Sequence, residues 1–169
     1  MNALNRRAWL GKGLGLFSAA ALLSACGFKL RGEEHFAFQS IAVMPVSGGA
    51  VAAQLRSAFA QALPAAQTTD QQRAVVLDLL QEQREKVVVG RSAAGQVREF
   101  QLRIKVVFRL RNAAGQELIA ATEISQHRDI SFNESAVLAK EAEEAILYRD
   151  MQNDIVRQIM RRVAAVQDL

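Results

Sequence analysis

Phe100-Gln101-Leu102-Arg103-Ile104-Lys105-Val106-Val107-Phe108-Arg109-Leu110 carries an apolar side chain at every even position. The odd positions hold Gln101, Arg103, Lys105, Val107 and Arg109. A strand points successive side chains to opposite faces, so period two is its signature. The segment predicts one long strand with Leu102, Ile104, Val106 and Phe108 buried and Arg103 and Lys105 turned away from them. A slip of one residue would expose the whole apolar set. A sheet with one wet face needs helices on the other.

The flanking sequence supplies them. Ile41-Ala42-Val43-Met44-Pro45-Val46 is an apolar run closed by Ser47-Gly48-Gly49, and reads as a first strand. Pro45 belongs at a strand edge or end. Val51, Leu55, Ala58, Phe59, Ala62 and Leu63 then form one helical stripe, stopped by Pro64. Residues 65–72 are a mostly polar connection. Val75, Leu77 and Leu79 alternate, and Val87-Val88-Val89 continues that strand after a charged middle. Leu118, Ala120, Thr122, Ile124, Ile130 and Phe132 mark a last strand over 118–132. Gly90-to-Gly95 and Asn112-to-Gly115 suit hairpin loops. A long helix is expected over about 136–166. Leu147, Met151, Ile155, Ile159 and Val163 run at i+4 steps, with Leu138, Ala142 and Ala145 leading in. Glu141, Glu143 and Glu144 crowd its first turns and Arg157, Arg161 and Arg162 its last, matching the helix dipole. The order β-α-β-β-β-α predicts an α+β fold, a two-layer sandwich of two helices on a four-stranded mixed sheet.

The 169 residues suffice for one domain, and with half of them apolar and 22% charged the chain is not of disordered composition. A pI near 9.7 invites a nucleic-acid reading. Residues 1–25 weaken it, because they hold Arg6, Arg7 and Lys12 and no acid. Without them 18 basic side chains face 17 acidic ones, far from the excess of a polyanion binder. Phe100 and Phe108 are on the buried face of the basic strand, out of reach of bases.

The first residues read as an address. The basic start is followed by the apolar run 14–23, ten residues and about 15 Å of helix. That is half of a ~30 Å hydrocarbon core, too short for a good membrane span. Small residues then lead to Cys26, the only cysteine, which excludes an internal disulfide framework and a multi-thiolate zinc site. Leu23-Ser24-Ala25-Cys26 resembles a bacterial lipoprotein signal. The resemblance implies a signal peptide over 1–25 and a Cys26 that becomes the acylated mature N-terminus, palmitate included. One acyl chain binds membranes only marginally, so stable anchoring needs more than one signal. Gly27, in place of an aspartate, favours the outer membrane, on its periplasmic side. Arg6-Arg7-Ala8-Trp9-Leu10 loosely resembles a twin-arginine motif and leaves the export route open. Residues 26–38 form a lipidated tether and 39–169 the folded domain.

Cys26-Gly27-Phe28-Lys29-Leu30-Arg31-Gly32 resembles the mature start of the LptE lipoproteins, also called RlpB. The likeness continues at Arg98-Glu99-Phe100, at Leu138-Ala139-Lys140-Glu141, at Glu144 and at Tyr148-Arg149-Asp150-Met151. It implies a sandwich of two helices on four strands. It also implies a protein that is not an enzyme, complexes with the outer-membrane barrel LptD, assists its assembly and binds lipopolysaccharide. A freestanding lipoprotein that binds an anionic glycolipid without a barrel is the alternative.

The residues themselves offer little chemistry. His35 lies in the tether and His127 at an odd position of the last strand. Nucleophile-elbow, zinc-protease and phosphate-loop motifs are all missing, and neither a cofactor nor a metal is expected. The Glu141, Glu143 and Glu144 cluster reads as a solvated helix start. Arg103, Lys105, Arg109 and Arg111 make a cationic stripe on the outer strand face. It suits lipopolysaccharide phosphates, and equally an ordinary wet face neutralised by Glu117, Glu123 and Asp129. Two better-placed candidates for those phosphates are Arg91, in the Gly90–Gly95 loop, and Lys140, in the first turns of the last helix. Against them, Arg91 reads as a solvated loop charge and Lys140 as the i+4 partner of Glu144.

Overall fold

In the computed structural model, residues 35–63 and 74–168 are described. The signal segment, Cys26, most of the tether, Pro64 and the 65–72 connection lie outside the described residues. The chain runs β1 (Ser40–Met44), α1 (Ala50–Ala62), β2 (Ala74–Arg91), β3 (Val97–Asn112), β4 (Glu117–Ser131), a 3₁₀ turn (Glu134–Ala136) and α2 (Val137–Ala164). The strands form one open sheet in the order β1-β2-β3-β4. β1 pairs in parallel with β2, and the other pairs are antiparallel. This is the expected mixed sheet with two helices. β1 stops at Met44, two residues short of the sequence reading, because proline cannot donate to a ladder.

β3 behaves as its alternation requires. Leu102, Ile104, Val106, Phe108 and Leu110 are each at most 2% exposed, whereas Arg103 is exposed and Lys105 half-buried. They pack with Val75 and Leu77 of β2, Val51, Leu55 and Phe59 of α1, and Met151, Ile155 and Ile159 of α2. Fully burying one such side chain contributes about 1.5–3 kcal/mol, so register is strongly specified here.

The two neighbours of β3 do not keep a single phase. In β2, Leu79 pairs with Phe108 but Gln81 pairs with Val107, leaving Leu80 as an extra residue. This bulge turns the charged middle over. Glu82, Arg84 and Lys86 now stand opposite Val106, Ile104 and Leu102, on the helix side of the sheet. Each has a partner there. The Glu82 carboxylate accepts from the Val51 and Ala52 amides at 3.0 and 3.4 Å, capping α1 from another element. Gly49, which precedes α1, makes room for it, since an added Cβ would stand 2.5 Å from Glu82 Oε1. The Arg84 guanidinium lies 3.4 Å from the Tyr148 ring centre. Lys86 reaches Glu144 at 2.6 Å.

β4 also departs from simple alternation. Phe108 pairs with Thr122 but Leu110 with Ile119. Ile119, not Ala120, therefore answers Leu110, and Ala120 is exposed. Ile124 and Ile130 remain buried as expected.

α2 differs from the sequence reading at its start. Tyr148, Met151, Ile155, Val156, Ile159 and Val163 are buried, but Leu138, Ala142 and Ala145 are exposed. The residues at i+4 from Met151 toward the N-terminus are Leu147 and Glu143, so the core-facing stripe runs out before the helix does. The acids fall in the second turn, since the first, Val137–Lys140, has none. Arg161 and Arg162 occupy the last turn as expected. The two hairpins close with Gly95 at φ +80° and Gly115 at φ +87°, left-handed conformations that glycine adopts without penalty.

Glu82→Ala should lower the unfolding free energy by about 1–2 kcal/mol, the cost of losing a helix cap. Glu82→Gln, which keeps one acceptor, should lose less. Urea denaturation of the two variants measures this, and an unchanged Glu82→Ala midpoint would remove the cross-element cap from the account.

Candidate functional site

The two phosphate candidates come to the same end of the sheet. Gly90 pairs with Glu99, and Glu99 pairs with Ser131. Lys140 Nζ donates to Ser131 Oγ at 2.9 Å. Two strand spacings, about 10 Å, thus separate the backbone beside Arg91 from the backbone beside Lys140. The Phe132 amide donates to the Arg98 carbonyl at 2.7 Å, tying the end of β4 to the hairpin.

Arg91 is the last residue of β2, paired with Val97, and not a loop residue. The strand outruns its sequence reading because Gly90 stays in the ladder. The Arg91 side chain is exposed and donates to the Gly95 carbonyl at 3.3 Å. After a second irregularity that leaves out Val89, Arg98 is the extra residue of a third, between the Gly90–Glu99 and Arg91–Val97 pairs. It too is exposed, and its guanidinium donates to Gln96 at 3.3 Å. Neither guanidinium joins an ion pair among the described residues.

Lys140 is half-buried and pairs with Glu143 at 2.9 Å, not with Glu144. Glu144 is taken by Lys86, whose ammonium also stands 4.4 Å from the Phe100 ring centre. The strand register that turned Lys86 over thus decides which acid is left for Lys140. Phe100 meets Phe132 edge to face, centres 5.3 Å apart. A cleft of about 60 Å³ opens here between sheet and α2, walled by Phe100, Ile130, Phe132 and Val137, with Lys86 and Lys140 beside it and Glu141 on its rim.

The outer sheet face holds the cationic stripe, and its charges are largely matched. Lys105 pairs with Glu123 at 2.7 Å. Arg109 and Arg111 both bind Asp78, at 2.9 and 2.8 Å, and Glu117 lies 3.8 Å from Arg109. Arg103 donates to Gln101, which in turn donates to Asp129. This is the wet, neutralised face that the sequence allowed, with Asp78 as an acid that the sequence reading missed. The alternation around Leu77 and Leu79 did place Asp78 on that face. A shallow groove of about 330 Å³ runs along it past Glu85, Arg103, Lys105 and His127. His35 and His127 are both exposed, and among the described residues no three His, Cys, Asp or Glu side chains converge as a metal site would need.

The Arg111 bond, above all, holds the Asp78 carboxyl below the usual carboxylate range, with the Arg109 bond and both positive charges adding and burial opposing. A carboxyl with a lowered pKa stabilises the fold above its ordinary value of 3.8, and that stability disappears as the pH falls through the folded-state value. Asp78→Asn should therefore be less stable than the wild type at about pH 7, with the gap narrower at a pH well below 3.8. Urea midpoints at the two pH values measure this, and a gap of equal size at both would contradict it.

The match to a family model described as LptE: Lipopolysaccharide-assembly spans residues 38–163. No curated protein matches the chain. The solution structure of an uncharacterized lipoprotein B from Nitrosomonas europaea is 34% identical, with a TM-score of 0.69 over 82% of this chain and 91% of that one. The crystal structure of the rare lipoprotein B from Shewanella oneidensis is 17% identical, with a TM-score of 0.62 over 75% of this chain and 94% of that one. A minor lipoprotein from Acinetobacter baumannii is 20% identical, with a TM-score of 0.58 over 78% and 92%. The last two speak for the fold alone. With β1 through most of α2 inside the matched span, the chain belongs to the LptE family of lipopolysaccharide-assembly proteins.

Proposed function

We propose that this protein is an outer-membrane lipoprotein, anchored on the periplasmic side through Cys26, that complexes with the barrel LptD, assists its assembly and binds lipopolysaccharide for delivery to the outer leaflet. It works by binding and not by catalysis. The observation that carries the reading is the lipopolysaccharide-assembly match across the whole sandwich, from residue 38 to residue 163. No described helix is long and apolar enough to cross a membrane.

Arg91 and Lys140 are its phosphate contacts. The exposed Arg91 guanidinium offers a phosphate a bidentate face. Lys140 must exchange Glu143 for the phosphate. That i,i+3 pair is partly exposed and worth about 0.2–0.5 kcal/mol, so little is lost in giving it up. The Ser131 hydroxyl also holds the ammonium, and can keep it in place during the exchange.

The full chain should be purified from detergent-solubilised membranes, as wild type and as the double variant Arg91→Glu with Lys140→Asp. The wild type should bring down a stoichiometric large barrel together with lipopolysaccharide. The double variant should keep the barrel and bind lipopolysaccharide at least about two decades more weakly. Wild-type protein carrying glycolipid but no barrel would contradict the partner reading, and undiminished glycolipid on the double variant would contradict the site.

A further inference from the structure

Leu138 is 82% exposed and Val137 39% exposed, at the very start of α2. Single exposed apolar residues need no explanation. These two need one because of where they stand. Val137 shares the cleft wall with Phe100, Ile130 and Phe132. It also faces Lys140 across one helical turn, at i+3. Leu138 follows it in the helix, one residue beyond the cleft wall and open to water. The core gains nothing from either, since the buried stripe of α2 begins only at Tyr148.

The surroundings select the occupant. The cleft's own charges are already matched, Lys86 to Glu144 and Lys140 to Glu143, and Glu141 adds a further carboxylate. Two further cations, Arg91 and Arg98, stand a few residues away on the hairpin, with the Glu99 carboxylate beside Gly90 as an acid next to them. An apolar seat beside a cationic rim fits an amphiphile whose phosphate and hydrocarbon leave one headgroup together. The cleft is small, about 60 Å³. Its apolar walls, Phe100, Ile130, Phe132 and Val137, suit hydrocarbon. Two exposed side chains also present far less than the roughly 800 Å² per partner of a stable protein interface.

We propose that Val137 and Leu138, with the Phe100–Phe132 pair, form an acyl-chain contact for the anionic glycolipid whose phosphates Arg91 and Lys140 take. The inference rests on the lipopolysaccharide reading given above. The chain enters between Val137 and Phe132 and lies over Leu138. The phosphates stay at the rim, where water and guanidinium compete for them.

The test compares two probes on the full chain: acylated lipid A, and the same phosphorylated disaccharide stripped of all acyl chains. The wild type should bind the acylated probe more tightly. Leu138→Ser with Val137→Ser should lose that preference, weakening the acylated probe about tenfold and leaving the stripped one unchanged. Leu138→Met should restore most of the loss. Exposure of both sites makes a folding defect a poor explanation, and an unchanged thermal midpoint checks it. Equal weakening of both probes, or of neither, overturns the acyl seat while the phosphate site stands. A wild type that binds neither probe overturns the lipopolysaccharide reading, and the seat with it.

Discussion

One extra residue in β2 governs how the two layers meet. With Leu80 left out of the ladder, Glu82, Arg84 and Lys86 face the helices. Without the bulge they would face away, and Gln81, Gln83 and Glu85 would lie under the helix layer in their place. Charged groups are costly to cover unless they are paired. Here each one is: Glu82 with the start of α1, Arg84 with the Tyr148 ring, Lys86 with Glu144. Tyr148 adds to the same seam, its buried hydroxyl donating to the Glu85 carbonyl at 2.6 Å. The sheet half without an apolar stripe thus still grips the helices, through polar contacts where the other half uses leucine and valine.

That grip builds the candidate site. Lys86 draws Glu144, which leaves Glu143 for Lys140 and brings the first turns of α2 over the hairpin end of the sheet. α2 outruns the hydrophobic core there, so its first turns carry Val137 and Leu138 into water. The outer sheet face spends its cations on its own acids, Asp78 and Glu123 above all. At the hairpin, Arg91 and Arg98 stand outside any ion pair among the described residues. A surface that joins such cations to exposed apolar side chains is suited to a lipid with phosphates.

Element order, the β3 register and the basic last turn of α2 were legible in the sequence, because each rests on a period or a charge asymmetry that a linear pattern records. The run from Leu102 to Leu110 admits only one face as the buried one. Bulges leave no comparable mark. Val75, Leu77 and Leu79 look like the start of one phase, and nothing in Leu80 says that the phase ends. The same holds at Ala120, where β4 passes its inward position to Ile119. Leu138 and Ala142 continue the i+4 row of α2 on paper, but a period cannot report where the sheet beneath a helix stops. Of the site, Arg91 and Lys140 were reached through a family resemblance together with their position near a turn and a helix start. Their common end of the sheet required the register, and the Glu143 partner required knowing where Lys86 points.

The reversal of phase at Leu80 is the central structural claim, and cross-strand backbone contacts test it most directly. Nuclear Overhauser effects on isotopically labelled protein should place Glu82 directly opposite Val106 and Lys86 opposite Leu102, while Leu79 remains opposite Phe108. An uninterrupted ladder, with Glu82 opposite Lys105 and Lys86 opposite Gln101, would contradict it.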